Sequence, residues 1–285
     1  MVQIVLRSVH LRIYISTSCL KNCRYLPEVL ETYTNAGIRD VEIGSSHSYI
    51  EDVDELLKRY SHAKFVIHNY FPPPKDPFMM NLAAQDENIR QRSLDVCRRA
   101  IELCSRIGAE FYSFHPGFRV AGTLDMNFSL SGRIIPYEDA FRNFTRSLEK
   151  IVSYSREHGI KVAVENLEHK NDAYMMTGPD EFTRVLEMFP EVFVLLDLGH
   201  LKIASRMLCF TVEEFISRVR GSVIGIHVHD NDGRSDLHID PSKSELLEYI
   251  SKISCSNIIL ESRNMSMAEI LRCLKVLRSR CTSPS

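Results

Sequence analysis

The chain has 285 residues, 44% of them hydrophobic and 25% charged, with a formal net charge of −2. That length suffices for one large barrel or two medium domains, each with a substantial core. The near-neutral balance carries no basic excess of the kind a nucleic-acid or anionic-membrane surface advertises.

No apolar run approaches the ~20 residues that cross a bilayer, and Met1-Val-Gln-Ile-Val-Leu-Arg7 does not read as a signal peptide. A cytoplasmic protein with no membrane partner is expected. The eight cysteines are scattered without a Cys-x-x-Cys pair, so they read as reduced thiols, Cys19 and Cys23 included. Cys97 and Cys104, seven apart, fall on one helix face as small apolar residues.

Taken in order, short strand-like runs alternate with longer helical ones. Strands are expected at 11–16, 40–44, 64–68, 110–115, 161–165, 192–197, 223–227 and 257–261. Helices are expected at about 25–35, 49–60, 88–107 and 137–158, from Pro179 onward, and at 266–278. Gly108 and Gly159 are natural helix stops, and Pro179 sits at a favoured first-turn position.

Eight such units, with strands that read as continuous apolar runs and are therefore buried on both faces, predict a (β/α)8 TIM barrel. The absence of any linker or low-complexity tract predicts one domain over residues 1–285. Two connections exceed what a barrel needs, 69–87 with its Pro72-Pro-Pro74 run and 116–136. Both follow strand C-termini, so both are expected to overhang the functional face as lids.

The strand ends carry the chemistry. The second ends near Glu42, the third at His68, the fourth at His115, the fifth at Glu165, the sixth at Asp197, the seventh at His227 and the eighth at Glu261. A single such residue is commonly a polar terminus or a helix cap. A set of them converging on one barrel mouth reads as a metal site. The stretch Val223-Ile-Gly-Ile-His227-Val-His229-Asp230-Asn-Asp232-Gly-Arg-Ser-Asp236-Leu-His238 is the densest in potential ligands, and His200 lies three residues past Asp197.

Ile67-His68-Asn69, Phe114-His115-Pro-Gly117, Val164-Glu165-Asn166, Leu196-Asp197-Leu-Gly-His200, Ile226-His227-Val-His-Asp230, Asp236-Leu-His238 and Leu260-Glu261-Ser262 together resemble the xylose-isomerase-like superfamily. That group contains sugar and sugar-phosphate isomerases and epimerases, related dehydratases and the endonuclease IV branch. The resemblance implies a central metal site at Glu165, Asp197, His227 and Glu261. It implies a second ion at His68 and His115 beside Glu165, and a third at His200, Asp236 and His238.

With no thiolate in the set, Zn or Mn is expected first and Co or Mg next, one to three ions in all. The implied activity is isomerisation or epimerisation of a carbohydrate-like substrate by proton transfer through a metal-stabilised enediolate. Glu165 and Glu261 would be the proton-transfer pair, with His200 on a substrate oxygen and Arg119 or Arg263 available for a carboxylate or phosphate.

The alternative is zinc-dependent phosphodiester hydrolysis at abasic DNA. Against it stand Asn69-Tyr-Phe-Pro-Pro-Pro74 where the repair enzymes carry a Ser-Tyr-Leu type of segment, and Leu198-Gly199 where they carry Thr-Cys. Ile239-Asp-Pro-Ser-Lys243 in place of the epimerases' Gly-Glu-Gly turn alters the pocket lip. A non-catalytic binding barrel is the weakest of the readings.

Overall fold

The computed structural model describes residues 11–121 and 132–282. Its strands are β1 (Arg12–Ser16), β2 (Asp40–Ile43), β3 (Lys64–His68), β4 (Phe111–Phe114), β5 (Val120–Ala121), β6 (Arg133–Ile134), β7 (Lys161–Glu165), β8 (Phe193–Asp197), β9 (Val223–Val228) and β10 (Asn257–Leu260). All but β5 and β6 close one parallel barrel in the order β1-β10-β9-β8-β7-β4-β3-β2, as the alternation of apolar runs and helices predicts. The helices are α1 (Leu26–Asn35), α2 (Val53–Lys58), α3 (Glu87–Ile107), α4 (Tyr137–His158), α5 (Pro179–Met188), α6 (Leu198–Leu208), α7 (Val212–Val219) and α8 (Met267–Thr282).

Local chemistry sets most helix ends. Asp86 caps α3 by accepting from Asn88 and Ile89 N–H, and Gly108 and Gly159 end α3 and α4 in the left-handed conformation. Asp52 caps α2, so that helix starts at Val53 and is shorter than the expected 49–60. Two helices, α6 and α7, fill the crossover from β8 to β9, each begun by its own side-chain cap, Asp197 and Thr211. The crossover from β9 to β10 carries a 3-10 helix, Glu245–Lys252, in place of an α-helix.

Strand side chains alternate, and the alternation sorts the core. Ile15, Val41, Ile43, Ile67, Tyr112, Val164, Leu196, Ile226 and Leu260 face the helices in the main apolar layer. Tyr14, Val66, Phe111, Ala163, Leu195 and Ile259 fill the barrel interior. Two residues further along those same strands, on the same inward face, stand Ser16, His68, Ser113, Glu165, Asp197 and Glu261. The apolar interior therefore forms a floor beneath a polar layer at the C-terminal mouth.

Of the two long connections, residues 69–86 are bolted down and do not form a free lid. Phe71, Leu82 and Ala83 are fully buried. Asn81 receives the Phe118 and Ala83 N–H groups and donates to Phe118 O, while Ser147 Oγ donates to Leu82 O. A Cβ at Gly117 would fall 2.2 Å from Asn81 Oδ1, so the close approach requires glycine there. The other connection enters and leaves through the β5–β6 hairpin, pairing Val120 with Ile134 and Ala121 with Arg133. The part of that expected lid at 122–131 lies outside the described residues.

Candidate metal centre

All nine expected residues fall in donor groups at the mouth, some of which share members. Glu165, Asp197, His227 and Glu261 form one, and His68, His115 and Glu165 a second. His200, Asp236 and His238 form a third, joined by His229, and a fourth, Glu42 with His68 and His227, overlaps the first two through its two histidines. Within each group one ligand atom per residue lies within 4.8 Å of the others.

His227 is the hub. Its Nε2 sits 2.8 Å from Glu42 Oε2, a contact in which the N–H donates to the carboxylate. Its Nδ1 then faces Glu261 Oε2 at 3.1 Å, Glu165 Oε1 at 3.2 Å and Asp197 Oδ2 at 3.6 Å. A buried imidazole nitrogen ringed by three carboxylates is stable only with a cation, proton or metal, between them. Burial alone would lower the His227 pKa, yet Glu42, Glu261 and Glu165 outweigh it and hold it well above 6.5. Against the upward push of burial, His227 and the other imidazoles beside each carboxylate pull Glu165, Asp197 and Glu261 below the usual carboxylate range.

The surrounding hydrogen bonds aim the donors. His200 Nδ1–H donates to Asn166 O at 2.9 Å and His238 Nδ1–H to Glu261 O at 2.6 Å. These bonds leave the His238 Nε2 2.9 Å and the His200 Nε2 3.6 Å from Asp236 carboxylate oxygens. Asp197 divides its labour, with Oδ1 accepting the His200 N–H at 2.6 Å as the α6 cap while Oδ2 faces the imidazoles. Asn166 clamps the end of β8, donating to Asp197 O at 2.9 Å and accepting its N–H at 2.8 Å. His68 and His115 point Nε2 at Glu165 Oε2 from 3.3 and 3.0 Å. With its side chain 24% exposed, His115 is the most open of the nine.

The donor set fits a divalent cation. Glu165 Oε2, Asp236 Oδ1, Glu42 Oε1 and His229 Nδ1 are buried without a hydrogen-bond partner, the condition a coordinated ion relieves. Imidazole and carboxylate without thiolate suit zinc, manganese or cobalt. With the imidazoles neutral, the carboxylates of Glu42, Glu165, Asp197, Asp236 and Glu261 carry more charge than one divalent ion offsets.

Three buried members of the site have no assigned role in the sequence reading. Glu42, next to last in β2, stands on the inward face and orients His227 in the way that carboxylates orient metal-bound histidines. His229 follows His227 by two residues, so strand alternation by itself turns both rings the same way. Glu168 is buried with Oε2 3.6 Å from His200 Nε2 and Oε1 2.6 Å from Lys170 Nζ. The Arg119 guanidinium donates to Ile135 O and lies over the Tyr137 ring. Arg263 is exposed, and its backbone N–H donates to His238 O.

The sequence profile described as "Xylose isomerase-like TIM barrel" matches residues 32–254. An uncharacterized protein of Methanocaldococcus jannaschii is 26% identical over 204 residues, 70% of this chain and 72% of that one. A probable endonuclease 4 of Aquifex aeolicus is 30% identical over 90 residues, which is 32% of this chain and 27% of that one. Among solved structures, a D-tagatose 3-epimerase-like protein superposes with a TM-score of 0.73 at 20% identity, covering 95% of this chain and 97% of its own. With the profile running through most of the barrel strands and the mouth residues they present, this chain belongs to the xylose isomerase-like TIM barrel family.

Proposed function

We propose that this protein is a divalent-metal-dependent enzyme that isomerises or epimerises a sugar, sugar phosphate or related polyol or keto compound. One observation carries the reading. Glu165 Oε1 and Glu261 Oε2 approach the same His227 Nδ1 to 3.2 and 3.1 Å from β7 and β10, so two carboxylates share one small buried site.

A pair of this kind serves a reaction that takes a proton from carbon on one side and returns it on the other. Held below the usual carboxylate range, both groups are ionised at neutral pH and able to accept a proton. His200, with its Nδ1–H engaged by Asn166 O, turns Nε2 toward the Asp236 carboxylate beside this pair. A bound divalent cation, zinc or manganese first and cobalt or magnesium next, supplies Lewis-acid polarisation of the substrate oxygens. The epimerase name of the superposed structure agrees with this reaction class.

A second reading, phosphodiester hydrolysis at abasic DNA, is favoured by a different observation. The groups around His115 and around Asp236 adjoin the central four, giving more donors than a single-ion isomerase needs. Several adjacent ions suit in-line displacement at phosphorus, and the Aquifex relative bears an endonuclease name.

The deciding experiment incubates metal-loaded protein in deuterium oxide with a panel of ketoses and keto-polyols, and follows deuterium at carbon by NMR. Parallel samples receive abasic duplex DNA at physiological salt. The isomerase reading expects exchange, reduced ~10²–10⁴-fold in Glu165→Gln and Glu261→Gln while metal content falls less. Efficient incision without deuterium incorporation would replace it with the hydrolase.

A further inference from the structure

Gly199, in the first turn of α6, lies against the His229 ring. A Cβ there would stand 2.1 Å from Cε1, 2.5 Å from Nδ1 and 2.6 Å from Nε2 of that ring. Glycine is a poorer helix former than alanine, and Gly199 does not have the positive φ that would call for glycine. Room for an imidazole is what it provides.

Seated in that slot, His229 is fully buried and stacks on His238 with 3.9 Å between ring centroids and 18° between planes. Its Nε2 is 3.8 Å from Asp236 Oδ1 and 3.1 Å from Asp197 Oδ2. Asp236 Oδ1 and His229 Nδ1 are both buried with no hydrogen-bond partner. His200 and His238 have committed their Nδ1–H groups to backbone carbonyls, which leaves both Nε2 atoms for the same spot.

We propose that His229 is a fourth protein ligand of a divalent-cation site completed by His200, Asp236 and His238, admitted there by the absent side chain of Gly199. This presupposes the metal-dependent reading and gives one of its ions a holding role. Three imidazoles and a carboxylate suit a zinc-type ion, and four protein donors mark a structural site, since catalytic sites keep a position open for water or substrate. The ion ties the start of α6 to the loop after β9. β9 thereby presents one imidazole to the central group, through His227, and the residue just past its end, His229, presents a second to this one.

The test uses the full chain stripped of metal and titrated with Zn²⁺ and, separately, Co²⁺. Native mass spectrometry counts the ions and competition with a chromophoric chelator gives their affinities, for wild type, His229→Ala and Gly199→Ala. Circular dichroism of each metal-free form checks folding. Both variants should lose one ion by more than ~100-fold in affinity, beyond the roughly 10–100-fold that a residue merely orienting a ligand is worth. Cobalt in wild type should show the intense visible absorption of four-coordinate sites, weakened in both variants.

Gly199→Ala keeps every donor atom, so its loss reports the displaced ring, and it decides alone if His229→Ala fails to fold. A smaller loss overturns the proposal. So does loss confined to the ion at Glu165, Asp197, His227 and Glu261, which would make His229 a hydrogen-bond donor to Asp197. A wild-type protein that binds no ion overturns this proposal together with the metal-dependent reading, whereas normal loading of both variants overturns this proposal alone.

Discussion

Loading metal onto the metal-free protein at pH 7 should expel protons, and the residues of the site set the count. Burial opposes charge on His200 and His227, yet the facing carboxylates outweigh it and hold both pKa values well above 6.5. His229 is raised in the same way, burial being overcome by Asp197 and Asp236. Glu165, Asp197, Asp236 and Glu261 are all lowered by neighbouring imidazoles despite burial, so they have no proton to give. Burial keeps His68 neutral.

The released protons therefore come from His200, His227 and His229, about two to three in all. Zinc titration calorimetry in buffers of different ionisation enthalpy measures that number. For each ion, apparent affinity should fall roughly tenfold per proton that ion displaces for each unit of pH lowered, so ~10-fold at the His227 group and up to ~100-fold where His200 and His229 both give one up.

Stability has a matching sign. In the metal-free protein the raised histidines contribute stability that is complete below about pH 6.5 and is lost as the pH climbs through their folded values. The lowered carboxylates contribute stability present above about pH 4 and lost as the pH falls through theirs. Melting temperature of the metal-free form should thus decline on the alkaline side, and metal, taking the place of the protons, should remove that decline. Metal uptake without proton release would refute this electrostatic account. A metal-free protein that grows more stable above about pH 6.5 would do the same.

Glu42→Gln weakens the carboxylate that orients His227, so metal affinity at the central group should drop roughly 10–100-fold with little change in fold; unchanged binding in a chelator competition would remove Glu42 from the centre. Asn166→Ala strands the buried N–H and C=O of Asp197. At about 1–3 kcal/mol for each unsatisfied group, urea denaturation should register a loss of several kcal/mol. Gly225→Val adds bulk where a Cβ already lies 3.0 Å from Leu195, 3.1 Å from Ile259 and 3.3 Å from Phe111. Overpacking of that interior layer should cost about 1–3 kcal/mol, and a melting temperature equal to wild type would show that the barrel floor has slack.

Much of this architecture is local and therefore readable in the chain. Period-two alternation sets which strand residues face inward, a glycine stop such as Gly108 acts within one turn, and a polar residue at each strand's C-terminal end has nowhere to go but the mouth. For that reason the nine expected residues arrive together and the barrel closes as expected. What no window of sequence contains is which distant side chains meet once the strands stagger around the axis. Glu42 reaches His227 across 185 residues of chain, and Gly199 matters only because a ring from β9's trailing loop fills the space beside it. Arg119 looks available as an anion holder until the hairpin claims it, and residues 69–86 read as a lid until their apolar side chains are found in the core. Alternation assigns a side chain to a face, and only the closed barrel, through stagger and packing, assigns it a partner.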